Sequence, residues 1–342
     1  GLVHREPVPL EGLAAMRMGS LEQRVLGKSG DNVRIDWGYL YLCVDGESAS
    51  FAEEWERMAC ISTRTVLHTG GTTAMLAVLA YDDVDALLYF GQHVPAYWKR
   101  NGKTIQQAVR EGYAQYEELN ARCAAFAKTL RKDAVEAGGE EYAQLLELSY
   151  RQVLAAHKLA VDPEGKLLYV SKECFSGGFA ATADVSYPSI PLFLLYRPEL
   201  VEGMMRPILR YAGSPRWPYE FAPHDAGRYP ILNGQLYSRG TDPRWQMPVE
   251  ECGNMLLMAV TSAVVQDDFT FFREHGALLE RWAGYLLQNG YDPENQLCTD
   301  DFAGHLAHNC NLSLKAIVSL GAYGKVLEKL GRPDAARYGE AA

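Results

Sequence analysis

The run from Cys252 to Val265 carries no charged residue. A helix that is apolar nearly all round has to be surrounded by protein. A second stretch, Phe302 to Leu320, is predicted to be helical and holds only Lys315 besides His305 and His308. Between them, Phe269 to Leu287 shows a polar side made of Arg273, Glu274, Glu280 and Arg281. Enclosed and half-exposed helices therefore alternate along the chain. An (α/α) toroid, with an inner ring of helices inside an outer one, requires that alternation; an ordinary helical bundle is the competing arrangement.

The rest of the chain is read from period and punctuation. Up to about Arg100 there is no helical period, and short β-type runs such as Arg34 to Val44 predict strands and loops. From Thr104 the apolar positions Ile105, Val109, Tyr113, Tyr116, Leu119, Cys123, Phe126 and Leu130 recur at steps of three and four. A long helix is expected there, stopped at Gly138-Gly139, with a second from about Glu140 to Leu159. Asp162 to Phe175 reads as a turn and hairpin. A short helix follows in YPSIPLFLLY, then one from Pro198 to about Tyr211, then a long loop to Met247 of the kind that usually carries function. Pro248 opens the helix that holds the uncharged run, Asp267-Asp268 cap the next, and Asp300-Asp301 are expected to cap the one after, with Gly321 at its end. This gives about eight helices after Thr104 where six hairpins need about twelve, so the toroid is expected to continue past Ala342. The domains expected are a β-rich 1–100 and a helical 101–342.

Composition closes off some functions. Hydrophobic residues at 48% against 22% charged describe a folded chain, and a net charge of −10 argues against nucleic acid or an anionic membrane surface as partner. No stretch is long and apolar enough for a membrane span. Seven cysteines without a CxxC pair read as mostly buried small hydrophobes. No GxSxG elbow, P-loop or dinucleotide fingerprint is present.

Polar residues gather in three places that the alternation puts at loops entering inner helices. They are Ser171 to Ser176, with Lys172, followed by Asp184; Ala222 to Gln235 with His224, Asp225, Arg228 and Asn233, running on to Gln246, Glu250 and Glu251; and Thr299, Asp300 and Asp301. Carboxylates converging from separate loops suit general acid–base hydrolysis, because burial and mutual repulsion raise one pKa while another group stays ionised. Glu250 or Glu251 could instead simply favour a helix N-terminus, and Asp301 could be a cap. Asp225 lies where no helix needs it. A metal site built from His224, Asp225, Asp300, Asp301, His305 and His308 lacks any known ligand spacing, so neither metal nor cofactor is expected. Cys252 and Cys310 could be nucleophiles but fall in apolar helices. Trp217, Tyr219 and Trp245 could line a pocket or belong to the core.

At these clusters the chain resembles the glutaminase A family. The resemblance is carried by GDNVRIDWGYLYL (Gly30 to Leu42), LAYDD (Leu79 to Asp83), YWKRNGKTI (Tyr97 to Ile105), YRQVLAAHKL (Tyr150 to Leu159), SKECFSGG (Ser171 to Gly178), APHDAGRYPILNGQ (Ala222 to Gln235), QMPVEECGNMLLM (Gln246 to Met258) and DDFAGHLAHNCNLSLKAI (Asp300 to Ile317). It implies a six-hairpin (α/α), glycosidase-like toroid, preceded by the end of a β-sandwich, in a secreted or periplasmic protein. It also implies hydrolysis of glutamine to glutamate and ammonia. On that reading Asp225, Glu251, Asp300 and Asp301 supply acid, base and electrostatic roles, and Lys172, His224, Arg228, Asn233, Gln246 and Glu250 bind the substrate or its oxyanion. The alternatives are a glycoside hydrolase with paired carboxylates and a non-catalytic carbohydrate-binding protein; the oligomeric state stays open.

Overall fold

The computed structural model describes residues 3–31, 36–45, 49–55, 58–66, 69–72, 74–299 and 304–342, and its contacts divide the chain into two units. The first takes residues 1–28, 33–86 and 95–152; the second takes 29–32, 87–94 and 153–342. Residues 105–152, which are largely helical, are therefore grouped with the β-rich part, so the contacts do not divide the chain at residue 100.

In the first unit the strands are β1 (Val3–Pro7), β2 (Leu13–Ser20), β3 (Tyr39–Asp45), β4 (Ala49–Trp55), β5 (Met58–Arg64) and β6 (Ala77–Asp82). Four of them form an antiparallel sheet in the order β1-β2-β3-β6, and β4 pairs with β5. One face of the sheet buries Ala15, Tyr41 and Cys43 against Ile105 and Val109 of helix α1 (Ile105–Ala114). Thr104 starts that helix with a reciprocal cap: its hydroxyl accepts from the Gln107 N–H, and the Gln107 side chain accepts from the Thr104 N–H. Helix α2 (Tyr116–Ala155) follows after Gln115 and breaks its geometry at Gly139, which has φ 84°. The expected stop at the glycine pair is thus a kink between two helical stretches.

The second unit begins its strands with β7 (Leu87–Tyr89) and β8 (Gln92–Val94), which β11 (Ile231–Leu232) joins in one small sheet. The hairpin β9 (His157–Val161) and β10 (Leu167–Ser171) turns at Pro163-Glu164-Gly165, so the helix expected to reach Leu159 ends at Ala155 instead. The helices are α3 (Ala183–Ser186), α4 (Ile190–Tyr196), α5 (Glu199–Ala212), α6 (Pro248–Gln266), α7 (Thr270–Glu274), α8 (Gly276–Asn289), α9 (Cys310–Lys329) and α10 (Ala335–Ala341). The uncharged run of α6 is largely buried as far as Ala263, with α5, α8 and α9 packed around it, and Val264 and Val265 at its end are exposed. Helix α8 buries one face only, through Leu279, Trp282, Ala283 and Leu286.

The stretch from 302 to 320 departs from expectation. Helix α9 starts at Cys310, capped by Asn309, whose side chain accepts from the Asn311 N–H at 3.0 Å. Residues 304–309 are not helical, so His305 and His308 do not share a helix face. Gly321 lies inside α9, and Leu314, Ile317 and Val318 on it are exposed. Of the seven cysteines only Cys43, Cys252 and Cys298 are buried; Cys60 is half-buried, and Cys123, Cys174 and Cys310 are exposed. No helix among the described residues is long and apolar enough to cross a membrane.

Candidate active site

The long loop before α6 is held in place by backbone pairing. Ala183 N–H donates to the His224 carbonyl at 2.8 Å, Ala180 N–H to Gly227, and Ala226 N–H to Ala180. Gly227 has φ 142°, and a Cβ there would collide with the Ile231 carbonyl, so this turn needs glycine. These contacts bring His224 beside Asp184 in the first turn of α3. Both lie close to the N-terminus of α6, where Glu250 and Glu251 stand in the first turn.

Asp225 is the keystone of the loop. Its Oδ1 accepts from the Gly227 and Leu236 N–H groups at 2.9 and 3.0 Å, and its Oδ2 accepts from the Tyr237 N–H at 3.0 Å. The same Oδ2 lies 3.2 Å from His224 Nδ1, and the residue is 0% exposed. His224 Nε2 then faces Asp184 Oδ1 at 3.7 Å, while its ring stacks on Tyr237 at 4.0 Å. Burial works against a charged imidazole here. The hydrogen bond to Asp225, which accepts it, and the charges of Asp184, Asp225 and Glu173 outweigh it, and the His224 pKa is raised.

Met247 at the N-cap of α6 makes no side-chain cap bond and the Val249 N–H of the first turn donates to Gln296 Oε1 at 3.1 Å, while the two glutamates bond to side chains. Glu250 Oε1 accepts from Thr299 Oγ1 at 2.9 Å, from Asn254 Nδ2 at 3.2 Å and from the Lys315 ammonium of α9. Glu251 Oε2 accepts from the same Asn254 amide at 3.1 Å. Burial, with Asp184 and Glu250 nearby, pushes the Glu251 carboxyl well above the usual carboxylate range. Burial also raises Asp184 and Glu173. Asp184 Oδ1, Glu250 Oε2 and Glu251 Oε1 are buried without a hydrogen-bond partner among the described residues. One donor atom each from Asp184, His224 and Glu251 lies within 4.8 Å of the other two, so this trio could hold a metal ion.

A cavity of about 260 Å³ opens over the cluster. Glu173, Asp184, His224, Tyr237 and Thr299 form its polar wall, and Phe179, Val185, Met247 and Leu297 its apolar one. Among the described residues that line it there is no lysine or arginine.

The residues singled out from sequence fall into distinct places. His224, Glu250 and Glu251 come together with Asp225 behind them. Asn233 instead accepts from the Gly91 N–H at 2.9 Å, beside β7 and β8, and Gln246 bonds to Gln235 and to the carbonyls of Gly240 and Asp242 inside the loop. Both amides build the loop and do not line the cavity. Arg228 lies over the Phe179 ring, and Lys172 lines a separate cavity of about 330 Å³ with Cys174 and Tyr229. Asp300 and Asp301 lie outside the described residues. Of the metal ligands considered from sequence, only His224 belongs to the trio; His308 pairs with Asp292, and His305 packs against Trp245. Trp217 packs among Tyr211, Tyr219 and Phe221, and burial pushes the Cys252 thiol up, which keeps it protonated. Asn254 and Lys315 were missed. Their signal was available: an asparagine one turn after two glutamates in an otherwise uncharged helix, and one lysine in an apolar stretch.

Helices enclosed by helices, with polar groups gathered where the loops enter the enclosed one, put the second unit in the (α/α) helical-hairpin class. More narrowly, the chain belongs to the glutaminase A family: residues 139–342 match the glutaminase A six helical-hairpin domain. Residues 48–133 match a domain of unknown function (DUF5127). The protein named Glutaminase A of Aspergillus oryzae is 35% identical over 242 residues, 70% of this chain and 34% of that relative. One named Probable glutaminase, of Arthroderma benhamiae, is 27% identical, again over 70% of this chain and 34% of its own length. The chain thus spans about a third of the length of these relatives.

Proposed function

We propose that the cavity over Asp184 and His224 hydrolyses a small amide such as glutamine. The observation that carries this reading is the trio Asp184, His224 and Glu251: the first two line the cavity, and a donor atom of the buried Glu251 lies within 4.8 Å of one on each of them. Asp184 takes a proton from the attacking water as its oxygen bonds to the amide carbon. His224, protonated and steadied by Asp225, passes its proton to the nitrogen as the C–N bond breaks and ammonia leaves. Glu251, deeper and uncharged, keeps the cluster from accumulating negative charge. Glu173 takes the substrate's ammonium. A cavity of about 260 Å³ lies at or below the small end of ligand pockets, which start at about 300 Å³, and suits an amino acid better than an oligosaccharide. Two relatives named as glutaminases support the same reading.

A glycosidase is the second reading, favoured by one distance. An oxygen of Asp184 and one of Glu251 lie no more than 4.8 Å apart, which excludes the roughly 6.5–9.5 Å spacing of inverting pairs for these two atoms and leaves the shorter, roughly 5 Å spacing of retaining ones. The deciding experiment is ammonia release from L-glutamine by the purified protein, beside a panel of aryl glycosides, with Asp184→Asn as control. Ammonia release that the variant lacks supports the amidase. Release of the aryl group instead supports the glycosidase, and turnover of neither supports a binding protein.

A further inference from the structure

We infer that Asp184, His224 and Glu251 form a binding site for one divalent transition ion of the manganese or zinc kind. The inference rests on the proposed function only in sharing its site.

Three observations carry it. The first is spacing: donor atoms of the trio lie within 4.8 Å of one another. With metal–ligand bonds of about 2.0–2.6 Å, donors on opposite sides of an ion stand roughly 4–5 Å apart, so the three can surround one ion with small side-chain shifts. The second is unmet bonding. Glu251 is 0% and Asp184 9% exposed, yet Glu251 Oε1 and Asp184 Oδ1 accept no hydrogen bond from the described residues. Buried acceptors of this kind are uncommon because each loses its hydration without replacement. A cation would satisfy both.

The third is how the imidazole is held. Asp225 Oδ2 engages His224 Nδ1 at 3.2 Å, so Nε2 is the nitrogen turned toward Asp184. A carboxylate behind a histidine, fixing its tautomer and ring, is the usual support of a metal-bound imidazole. Asp225 is itself fixed by the N–H groups of Gly227, Leu236 and Tyr237. The charge balance agrees: Lys315 offsets Glu250, leaving Asp184 and Glu251 to be offset by a proton or an ion. Bound ion and transferable proton are therefore alternative occupants of one site. One imidazole with two carboxylates suits manganese or zinc better than calcium or magnesium, which favour all-oxygen sets.

The test titrates chelator-treated protein with MnCl2 and with ZnCl2 by calorimetry and follows thermal unfolding in parallel. One ion per chain is expected for at least one metal, with a raised Tm, and with affinity at least ten-fold weaker in both Asp184→Asn and Glu251→Gln. Should one variant fail to fold, the other decides. Absence of binding, or affinity unchanged in the folded variants, overturns the site. Ammonia release by protein that binds neither ion would overturn this inference and leave the amidase standing; ion binding without ammonia release would do the reverse.

Discussion

His224 Nδ1 lies 3.2 Å from Asp225 Oδ2, and the aspartate that holds it is bound in turn by three backbone N–H groups of its own loop. The two adjacent residues divide the work. Asp225 is spent on folding the loop and orienting the imidazole, and His224 is the one that reaches the cavity wall.

Asp225→Ala should therefore fail as a clean active-site variant. It strips the acceptor from three backbone N–H groups in a buried loop, for an expected loss of about 3–5 kcal/mol. Thermal or urea unfolding measures this. A variant that keeps the wild-type Tm while losing activity would show that Asp225 is not the loop's keystone.

The proposed step needs Asp184 ionised and His224 protonated, and both pKa values are raised. Turnover should rise with pH as Asp184 ionises above its ordinary 3.8, and fall as His224 loses its proton above its ordinary 6.5. His224→Gln should lower kcat by about 10²–10⁴ and remove the alkaline limb. A pH–rate profile of the two proteins checks it; an alkaline limb that survives the substitution assigns the acid elsewhere.

Glu251 has its pKa raised by folding, so between its ordinary 4.5 and the folded value the native state holds a proton that the unfolded chain has lost. Its contribution to stability is complete below 4.5 and is lost progressively as pH rises through that window. Glu251→Gln removes this dependence, so the variant should gain on wild type as pH increases. Denaturant unfolding of both proteins at a series of pH values reads the effect, and parallel stability curves would mean that Glu251 is ionised in the native state.

Lys315, with its side chain 15% exposed, contacts Glu250, with its side chain 1% exposed. Lys315→Met leaves that carboxylate buried with only Asn254 and Thr299 as donors among the described residues and should cost about 3–5 kcal/mol. The double variant Lys315→Met with Glu250→Gln should recover much of the loss. If the two losses simply add, the pair does not interact in solution.

Local pattern carried a good share of the fold. Alternating burial marked α6 as enclosed and α8 as half-exposed, and Thr104, Pro248 and Pro163-Glu164-Gly165 located a helix start, a second helix start and a hairpin turn. The errors came where a local signal was ambiguous. Asp300-Asp301 and Asn309 are equally good caps on paper, and Gly321 can end a helix or sit inside one that packs closely on its neighbour.

What the sequence by itself determined is family, helical class and the loops in which polar residues collect, because period, caps and motif order are properties of neighbouring residues. What only the tertiary structure decided is which of those residues meet. Asp184, His224 and Glu251 converge from three separate segments, whereas Asn233 and Gln246, as conspicuous in sequence, turn to backbone groups, Asn233 to the Gly91 N–H and Gln246 to carbonyls of its own loop. Asp225 is the clearest case: nothing in the residues beside it distinguishes a catalytic carboxylate from one committed to three backbone N–H groups. That depends on where the chain returns at Leu236 and Tyr237, and on the burial that makes leaving those groups unbonded costly.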